Sequence, residues 1–599
     1  MTKQKLELTW IGKEKRPKLE PRILLEDPAR SYHAKHRVTD DDIFDNRLIF
    51  GDNLLALKAL EQEFSGKVKC VYIDPPFNTQ QAFEHYDDGY EHSIWLGLIR
   101  DRAESLRRLL SDDGTLFVHI DDNELGYLIV LLDEVFGRRN RIGVITFKQS
   151  SASGPKAINP GLVTTNNYIL YYAKNKDVWL PNRVFVPGPR DDRYSKYIEN
   201  YEDEFQEWNL IGLREAFLRN NRLQSWDDAK AKFADKLEAK LADFVVTNAH
   251  RVVRTARVAP RDVNEAARDA LTQSIADRAM VYRSVREDRD DYYFFGGEQL
   301  IFYRAKTRVI DGKPTTASPL TNLWDDLLSN NLHNEGGVSF PNGKKPEALI
   351  KRCLELSTTA GDIVLDSFAG SGTTGAVAQK MGRRWIMVEL GDHCHSQIIP
   401  RMKRVIDGAD SAGVTAAMNW KGGGGFRYYR LAPTLIIDDR WGNPVINPEY
   451  NAAMLAEALC KLEGFTYAPS ESCFWQQGHS SERDFIYVTT QNLSAEQLQA
   501  LSDEVGSARS LLVCCSAFRG VGADRAAERW PNLTLKKIPK MVLARCEWGH
   551  DDYSLNVANL PMATPEPPSP PAPLPPTGEG GQRPRARANA TMDLFEEDR

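Results

Sequence analysis

Short, unbroken apolar runs alternate with amphipathic stretches over the first third of this chain, stop near residue 183, and resume near residue 346. Such runs mark parallel strands buried on both faces, and parallel strands need helical crossovers between them. A strand begins at Leu48, and Gly51-Asp52-Asn53 opens a helix from Leu54 to Phe64. Val68 to Ile73 reads as the next strand. A helix from Ser93 to Leu110, the turn Asp112-Asp113-Gly114, a strand from Thr115 to Ile120 and a helix from Asn123 to Phe136 follow. Two more strand-like runs, Ile142 to Phe147 and Tyr168 to Ala173, close the first half. The second half reads as a helix from Pro346 to Leu356, a strand from Ile363 to Asp366, a glycine loop, a helix from Thr373 to Met381, a strand from Trp385 to Glu389 and a helix from His393 to Ile406. The pattern predicts one α/β sheet split by an insertion.

A chain of 599 residues exceeds a single core and divides into several units. Residues 1–45 read as a polar N-terminal arm, and 46–182 and 321–425 as the two halves of the sheet. Residues 183–320 are the inserted region, 426–560 a smaller C-terminal α/β domain, and 561–599 a Pro-rich tail disordered by composition. The insertion is rich in charge and reads as largely helical, with helices from Asp227 to Val246 and from Val263 to Val285. Arg251, Arg254, Arg257 and Arg261 recur there at roughly helical spacing, and a strand from Gln299 to Ile310 closes it. Gly422 to Gly425 punctuates the boundary to the C-terminal domain. In that domain Phe485 to Thr489 and Leu511 to Cys515 read as strands, and Ser494 as the cap of a helix from Ala495 to Val505.

Bulk properties narrow the class further. A net charge of -6 does not announce a nucleic-acid binder, but acidic surface elsewhere can hide a basic groove. No apolar stretch approaches the ~18 residues of a membrane helix, and Met1-Thr2-Lys3-Gln4-Lys5 opens no secretory signal. The eight cysteines form no C-x-x-C pair, and Cys514 and Cys515 sit in an apolar run as buried thiols, so a reducing cytoplasm is expected. His393-Cys394-His395 cannot easily converge on one ion from a helix, and no metal site is expected.

The strand ending at Asp366 leads into Ser367-Phe368-Ala369-Gly370-Ser371-Gly372-Thr373-Thr374. Strand, glycine loop, helix, strand and acidic residue is the arrangement that holds a nucleoside at the carboxyl edge of a sheet. Gly370 and Gly372 let backbone pass close to a ligand, and Glu389 ends the following strand, where it can accept from both ribose hydroxyls. The third glycine of a dinucleotide fingerprint is missing, and no Lys follows as in a phosphate-binding loop. Asp366 suits a cofactor with a cationic amine, which S-adenosylmethionine has and a dinucleotide lacks. A plain tight turn is the alternative. Phe340-Pro341-Asn342-Gly343-Lys344-Lys345-Pro346 starts the helix upstream. Pro at the first helical position is common without any function, and its place just before the loop is the reason to expect this segment beside the cofactor's methionine end.

Nearly three hundred residues earlier, the run ending at Ile73 leads into Asp74-Pro75-Pro76-Phe77. An exocyclic amine on adenine or cytosine is a poor nucleophile because its lone pair is delocalised into the ring. Acceptors placed on both amine hydrogens pull the nitrogen towards tetrahedral geometry and free that pair. Asp74 can supply a carboxylate oxygen and Pro75 a carbonyl. Pro75 and Pro76 hold that carbonyl rigidly and bring no N–H of their own. Phe77 offers a flat face for stacking. The alternative is a simple Pro-Pro turn after a strand.

Asp74-Pro75-Pro76-Phe77-Asn78-Thr79 preceding Phe368-Ala369-Gly370-Ser371-Gly372-Thr373 resembles the amino-methyltransferases of DNA in their β arrangement. There the catalytic motif precedes the cofactor motif, a circularly permuted order, with the target-recognition region between them. The length and extra C-terminal domain resemble the modification (Mod) subunits of type III restriction–modification systems. The resemblance implies a Rossmann-like S-adenosylmethionine-dependent sheet and an amine pocket of Asp74, Pro75, Pro76 and Phe77. It implies a cofactor site of Asp366, Phe368, Ala369, Gly370, Ser371, Gly372, Thr373 and Glu389, with Lys345 and Pro346 nearby and Asp52 touching the adenine. Phe77 stands where the family usually has Tyr. Asp at position 74 favours adenine N6, whereas Ser there is more typical of cytosine N4. The implied partners are double-stranded DNA, a second copy of the chain and a helicase–nuclease restriction subunit, in a bacterial or archaeal cytoplasm near the nucleoid.

Three alternatives stay open at this stage. The target amine could be N4 of cytosine. The chain could serve mainly as the sequence-reading subunit of a restriction complex, its insertion arginines meeting phosphates or base edges. A nicotinamide-dependent oxidoreductase is the third. Separately, Thr591-Met592-Asp593-Leu594-Phe595 resembles the peptide by which bacterial proteins grip the replication sliding clamp, with Thr where Gln is usual.

Overall fold

The computed structural model describes residues 7–77, 88–150, 161–287, 289–327, 332–338, 344–538, 542, 546–549 and 551–553. The Pro-rich tail and its clamp-like peptide, including Met592 and Phe595, lie outside the described residues, as do Asn78 and Thr79.

The first half comprises β1 (Leu24–Glu26), β2 (Tyr32–His33), β3 (Asn46–Phe50), α1 (Asn53–Phe64), β4 (Val68–Ile73), α2 (Asp88–Leu109), β5 (Leu110–Ile120), α3 (Leu125–Leu132), β6 (Arg141–Lys148) and β7 (Asn166–Ala173). The insertion carries β8 (Phe185–Pro187), β9 (Lys196–Ile198), β10 (Leu210–Gly212), α4 (Leu213–Asn220), α5 (Trp226–Phe233), α6 (Leu237–Thr247), β11 (Val252–Ala256), α7 (Glu265–Ala276), β12 (Val281–Ser284), β13 (Tyr292–Phe295), β14 (Glu298–Phe302), β15 (Thr307–Ile310) and β16 (Lys313–Pro319). The second half adds β17 (Leu323–Trp324), α8 (Glu347–Ser357), β18 (Ile363–Asp366), α9 (Thr373–Lys380), β19 (Arg384–Glu389), α10 (Ile399–Ile406) and β20 (Gly425–Leu431).

Both halves build one sheet in the order β1-β20-β3-β19-β18-β4-β5-β7-β6-β17, with β2 also paired to β20. From β20 to β5 every neighbour is parallel; β7 runs antiparallel to β5 and β6. Alternation along β4 sends Cys70 and Tyr72 to the face covered by α8, α9 and α10. Val71 and Ile73 go to the face covered by α1, α2 and α3. The result is the doubly wound, Rossmann-like α/β sheet expected from the sequence. Among the described residues no helix is long and apolar enough to cross a membrane.

Several sequence expectations change. The insertion is mixed rather than largely helical: β9 to β14 form an antiparallel sheet in the order β10-β9-β11-β14-β13-β12, and β15-β16-β8 a second one. The helix expected from Asp227 to Val246 breaks at Ala234, whose φ is 45°, and the one from Val263 ends at Ala276 before β12. Arg254 lies on β11, where the buried pair Val252-Val253 governs the conformation, so the arginine spacing does not trace a helix. The strand from Gln299 to Ile310 is interrupted by a 3-10 turn over Tyr303–Lys306. The glycines at 422–425 end no domain. They turn the chain so that β20 lies alongside β3, and the N-terminal arm adds β1 and β2 to the same edge.

Beyond β20 the C-terminal domain packs Ala452–Glu463 against a five-stranded sheet whose strands Asp484–Val488, Ser510–Cys515 and Leu533–Lys537 are parallel. Ser494 caps the helix Ala495–Val505 through a reciprocal box with Gln497. Cys514 and Cys515 are buried. Further on, the Tyr553 N–H donates to Asp52, at the start of α1, at 2.9 Å.

Candidate active site

Strands β4 and β18 are adjacent and parallel, with Leu365 opposite Val71 and Val364 opposite Cys70. Their carboxyl ends, Asp74-Pro75-Pro76-Phe77 and the loop after Asp366, therefore open on one edge of the sheet. This is also where strand order departs in two directions, the crevice in which α/β folds hold ligands.

The glycine loop is tightly fixed. Asp366 Oδ1 accepts from the Phe368 N–H at 2.9 Å and Oδ2 from the Thr374 hydroxyl at 2.6 Å. Gly370 N–H donates to Glu389 Oε2 at 2.7 Å, and Gly391 N–H to Oε1 at 2.9 Å. Gly372 caps α9 with φ 75°, and a Cβ there would come within 3.0 Å of Ile398, so only glycine fits without displacement. Ala369, Ser371 and Thr373 are buried around the loop. Burial, with Asp74 and Glu389 nearby, lifts the Asp366 carboxyl to about 7.

The Asp74-Pro75-Pro76-Phe77 turn, expected to form the amine pocket, lies next to it. Asp74 is partly exposed as a residue, yet its Oδ1 is buried and has no hydrogen-bond partner among the described residues. Its Oδ2 meets Lys345 Nζ at 2.7 Å. Burial raises the Asp74 carboxyl above its ordinary range while Lys345 draws it down. Trp95 Nε1 donates to the Pro76 carbonyl at 2.7 Å and pins the Pro-Pro turn, with Pro75 buried beneath. Phe77 stacks on His119, ring centroids 5.7 Å apart. Behind it His119 Nδ1 lies 3.1 Å from the Tyr72 hydroxyl, and Nε2 3.1 Å from Asn167 Nδ2. Burial, and then Lys345, hold His119 well below its usual range, so it stays neutral.

Two residues expected at the cofactor have protein partners of their own. Asp52 is fully buried and spent on structure: it caps α1 through the Leu54 and Leu55 N–H groups, pairs with Arg102 at 3.3 Å and accepts from Tyr553. Lys345 lies on the amine-pocket side, against Asp74. Pro346 is the N-cap residue of α8, one position before the helix proper.

Sequence reasoning missed the support beneath the loop. Arg401 donates to the Thr373 hydroxyl at 2.8 Å and the Ser371 carbonyl at 3.2 Å, and pairs with Glu347 at 2.8 Å. Lys380 joins Glu347 and Asp410, each at 2.7 Å. All four side chains are buried. The only trace in the sequence is charge on the apolar faces of α8, α9 and α10, which periodicity treats as noise.

Three carboxylates, Asp74, Asp366 and Glu389, thus lie close to one another, with the Lys345 ammonium against Asp74, and at Gly370 a side chain would meet nothing nearer than the Phe368 carbonyl at 3.9 Å. Such a donor set fits a cationic nucleoside better than a phosphate-bearing one. Among the described residues no cluster of His, Cys, Asp and Glu is placed to hold a metal ion.

The chain is 33% identical over 418 residues to the probable type III restriction-modification enzyme HindVI Mod subunit of Haemophilus influenzae, covering 66% of this chain and 55% of that one. It is 24% identical over 612 residues to the type III restriction-modification enzyme EcoP15I Mod subunit of Escherichia coli, covering 90% of each. The match thus spans little more than half of the first relative and nine-tenths of the second. Among solved structures, the PvuII DNA methyltransferase (cytosine-N4-specific) aligns with 65% of this chain and 98% of its own, at 14% identity and a TM-score of 0.31. The model of the DNA methylase family matches residues 68–400, from the strand that carries Asp74 through the loop that follows Asp366, and the chain belongs to that family.

Proposed function

We propose that this chain transfers a methyl group from S-adenosylmethionine to the N6 amine of adenine in duplex DNA, as the modification subunit of a type III restriction–modification system. The observation that carries the reading is the side-by-side placement of the strands that end at Asp74 and Asp366, with an Asp74 oxygen that is buried and unpartnered among the described residues. The resemblance to Mod subunits supports the biological setting.

When bound, the cofactor supplies a methyl group on a sulfonium, ready for in-line transfer. Asp366 and Glu389 hold its cationic and hydroxyl-bearing parts, and the backbone of Gly370 and Gly372 lets it lie close. The target base leaves the duplex to enter the pocket. Asp74 Oδ1 and the Pro75 carbonyl accept the two amine hydrogens and free the nitrogen lone pair. Phe77 stacks on the base. Asp74, raised by burial, is a competent acceptor for the proton the amine gives up. Preorganised acceptors and orientation supply the rate without a covalent enzyme intermediate. The insertion reads the DNA sequence, a restriction subunit is the partner, and a paired copy would let one chain read while the other modifies.

The test is to express the chain in a host lacking other DNA methyltransferases, sequence the DNA with modification-sensitive long reads, and identify the modified nucleoside by mass spectrometry. N6-methyladenine at one short site is the expected result, abolished by Asp74→Ala. N4-methylcytosine would move the target to cytosine. Absence of both would overturn the reading.

A further inference from the structure

The amine pocket contains a side chain that the chemistry above leaves without a task. Lys345 Nζ lies 2.7 Å from Asp74 Oδ2 and 5.0 Å from the centre of the Phe77 ring. His119 also stacks on that ring. One ammonium therefore touches both groups that a flipped base would use: it donates an N–H to Asp74 Oδ2, leaving Oδ1 open, and lies over the Phe77 ring.

We infer that Lys345 plugs the base pocket, covering the Phe77 ring and holding Asp74 Oδ2 until a target base displaces it. The inference rests on the reading of Asp74 and Phe77 as the base pocket. A base stacked on the ring face that Lys345 covers needs the volume this ammonium fills, so the two occupants exclude each other. Lys345 sits between two anchored residues. Lys344 is buried and donates to the Val338 and Glu335 carbonyls. Pro346 has a fixed φ and leads into α8. Rotation of the four-carbon Lys345 stem is enough to withdraw the ammonium. The plug keeps the Asp74 carboxylate paired while the pocket is empty, where an unpaired buried charge would be costly. It also sets a threshold: a base enters only if its gain exceeds the ion pair it breaks.

The experiment uses a duplex carrying 2-aminopurine in place of the target adenine at the site found by sequencing. Its fluorescence rises when the base leaves the stack. The full chain is compared with Lys345→Met and Lys345→Arg, with and without S-adenosylmethionine. Lys345→Met is expected to raise the ratio of extruded to stacked base about tenfold, as loss of one charge-assisted hydrogen bond would. Lys345→Arg, which keeps the cation, is expected to return it towards the wild-type value. A merely structural Lys345 would leave fluorescence unchanged or lower in both variants, and that result overturns the plug alone. If Lys345→Met fails to fold, Lys345→Gln carries the same expectation. Wild-type protein that binds the duplex with no fluorescence rise under any condition would overturn the base-pocket reading and the plug with it.

Discussion

The Thr374 hydroxyl donates to Asp366 Oδ2 at 2.6 Å, tying the first turn of α9 to the last residue of β18 across the glycine loop. Even with this bond and the Phe368 N–H on its other oxygen, burial beside Asp74 and Glu389 holds the Asp366 carboxyl up at about 7. A cation entering the crevice binds the ionised form. Affinity for S-adenosylmethionine should therefore rise as pH climbs through 7 and level off above it. Between pH 6 and pH 8 the gain should be about tenfold, because a group with pKa near 7 is only about one-tenth ionised at pH 6. Calorimetric titration at pH 6, 7 and 8 measures it, and binding at pH 6 should release protons. Asp366→Asn should weaken binding and flatten the profile. For stability the sign is opposite: a raised carboxyl binds extra protons in the folded state, so its contribution declines as pH rises from the ordinary carboxyl range through about 7.

Asp52 offers a test of structure against ligand contact. Its carboxylate caps α1, pairs with Arg102 and receives the Tyr553 N–H. Asp52→Ala should cost about 1–2 kcal/mol for the cap alone, and more because Arg102 stays buried without its partner. Asp52→Asn keeps a capping oxygen and should recover part of the loss. Thermal unfolding ranks the three proteins. Cofactor affinity of the folded Asp52→Asn protein should match that of the wild type.

What the sequence made legible follows a physical divide. Strands such as Val68–Ile73 and Ile363–Asp366 were readable to the residue because both sheet faces are covered, and unbroken apolar runs have no other stable home. The adjacency of Asp74 and Asp366 followed from topology once those strands were recognised. The insertion was misread because its antiparallel strands are short and half-exposed, with charge on the open face. Arg254 on β11 carries the same alternation that a polar helix shows over a few residues. Lys345 was placed near the cofactor by its position in the chain. Which neighbouring carboxylate it chose is a matter of side-chain reach, which no spacing encodes.

The buried set of Arg401, Glu347, Lys380 and Asp410 should be unforgiving of a single deletion. Lys380→Met leaves Glu347 and Asp410 without the ammonium that each meets at 2.7 Å. Losing one partner of a buried pair costs roughly 3–5 kcal/mol. The expected result is a markedly lower unfolding temperature of the catalytic unit by calorimetry. Arg401→Met should in addition weaken cofactor binding, since Arg401 holds the Thr373 hydroxyl and Ser371 carbonyl of the loop.

Phe77 stands where the family usually has tyrosine, and its surroundings say what the ring must do. It is braced by neutral His119, which is itself held between Tyr72 and Asn167. That brace fixes the plane of a stacking platform and calls for no hydroxyl. Phe77→Tyr should therefore retain methyl transfer at a similar rate. Phe77→Ala removes the platform, and base–aromatic stacking is worth about 1–3 kcal/mol. Transfer per bound cofactor should fall about ten- to a hundredfold, while affinity for S-adenosylmethionine stays unchanged because the hydrogen bonds that fix the glycine loop run through Asp366 and Glu389 and not through Phe77. Single-turnover transfer of a tritiated methyl group to site-bearing duplex, set beside calorimetric cofactor binding, separates the two effects. Equal loss of both would mean that Phe77 shapes the cofactor crevice rather than the base pocket.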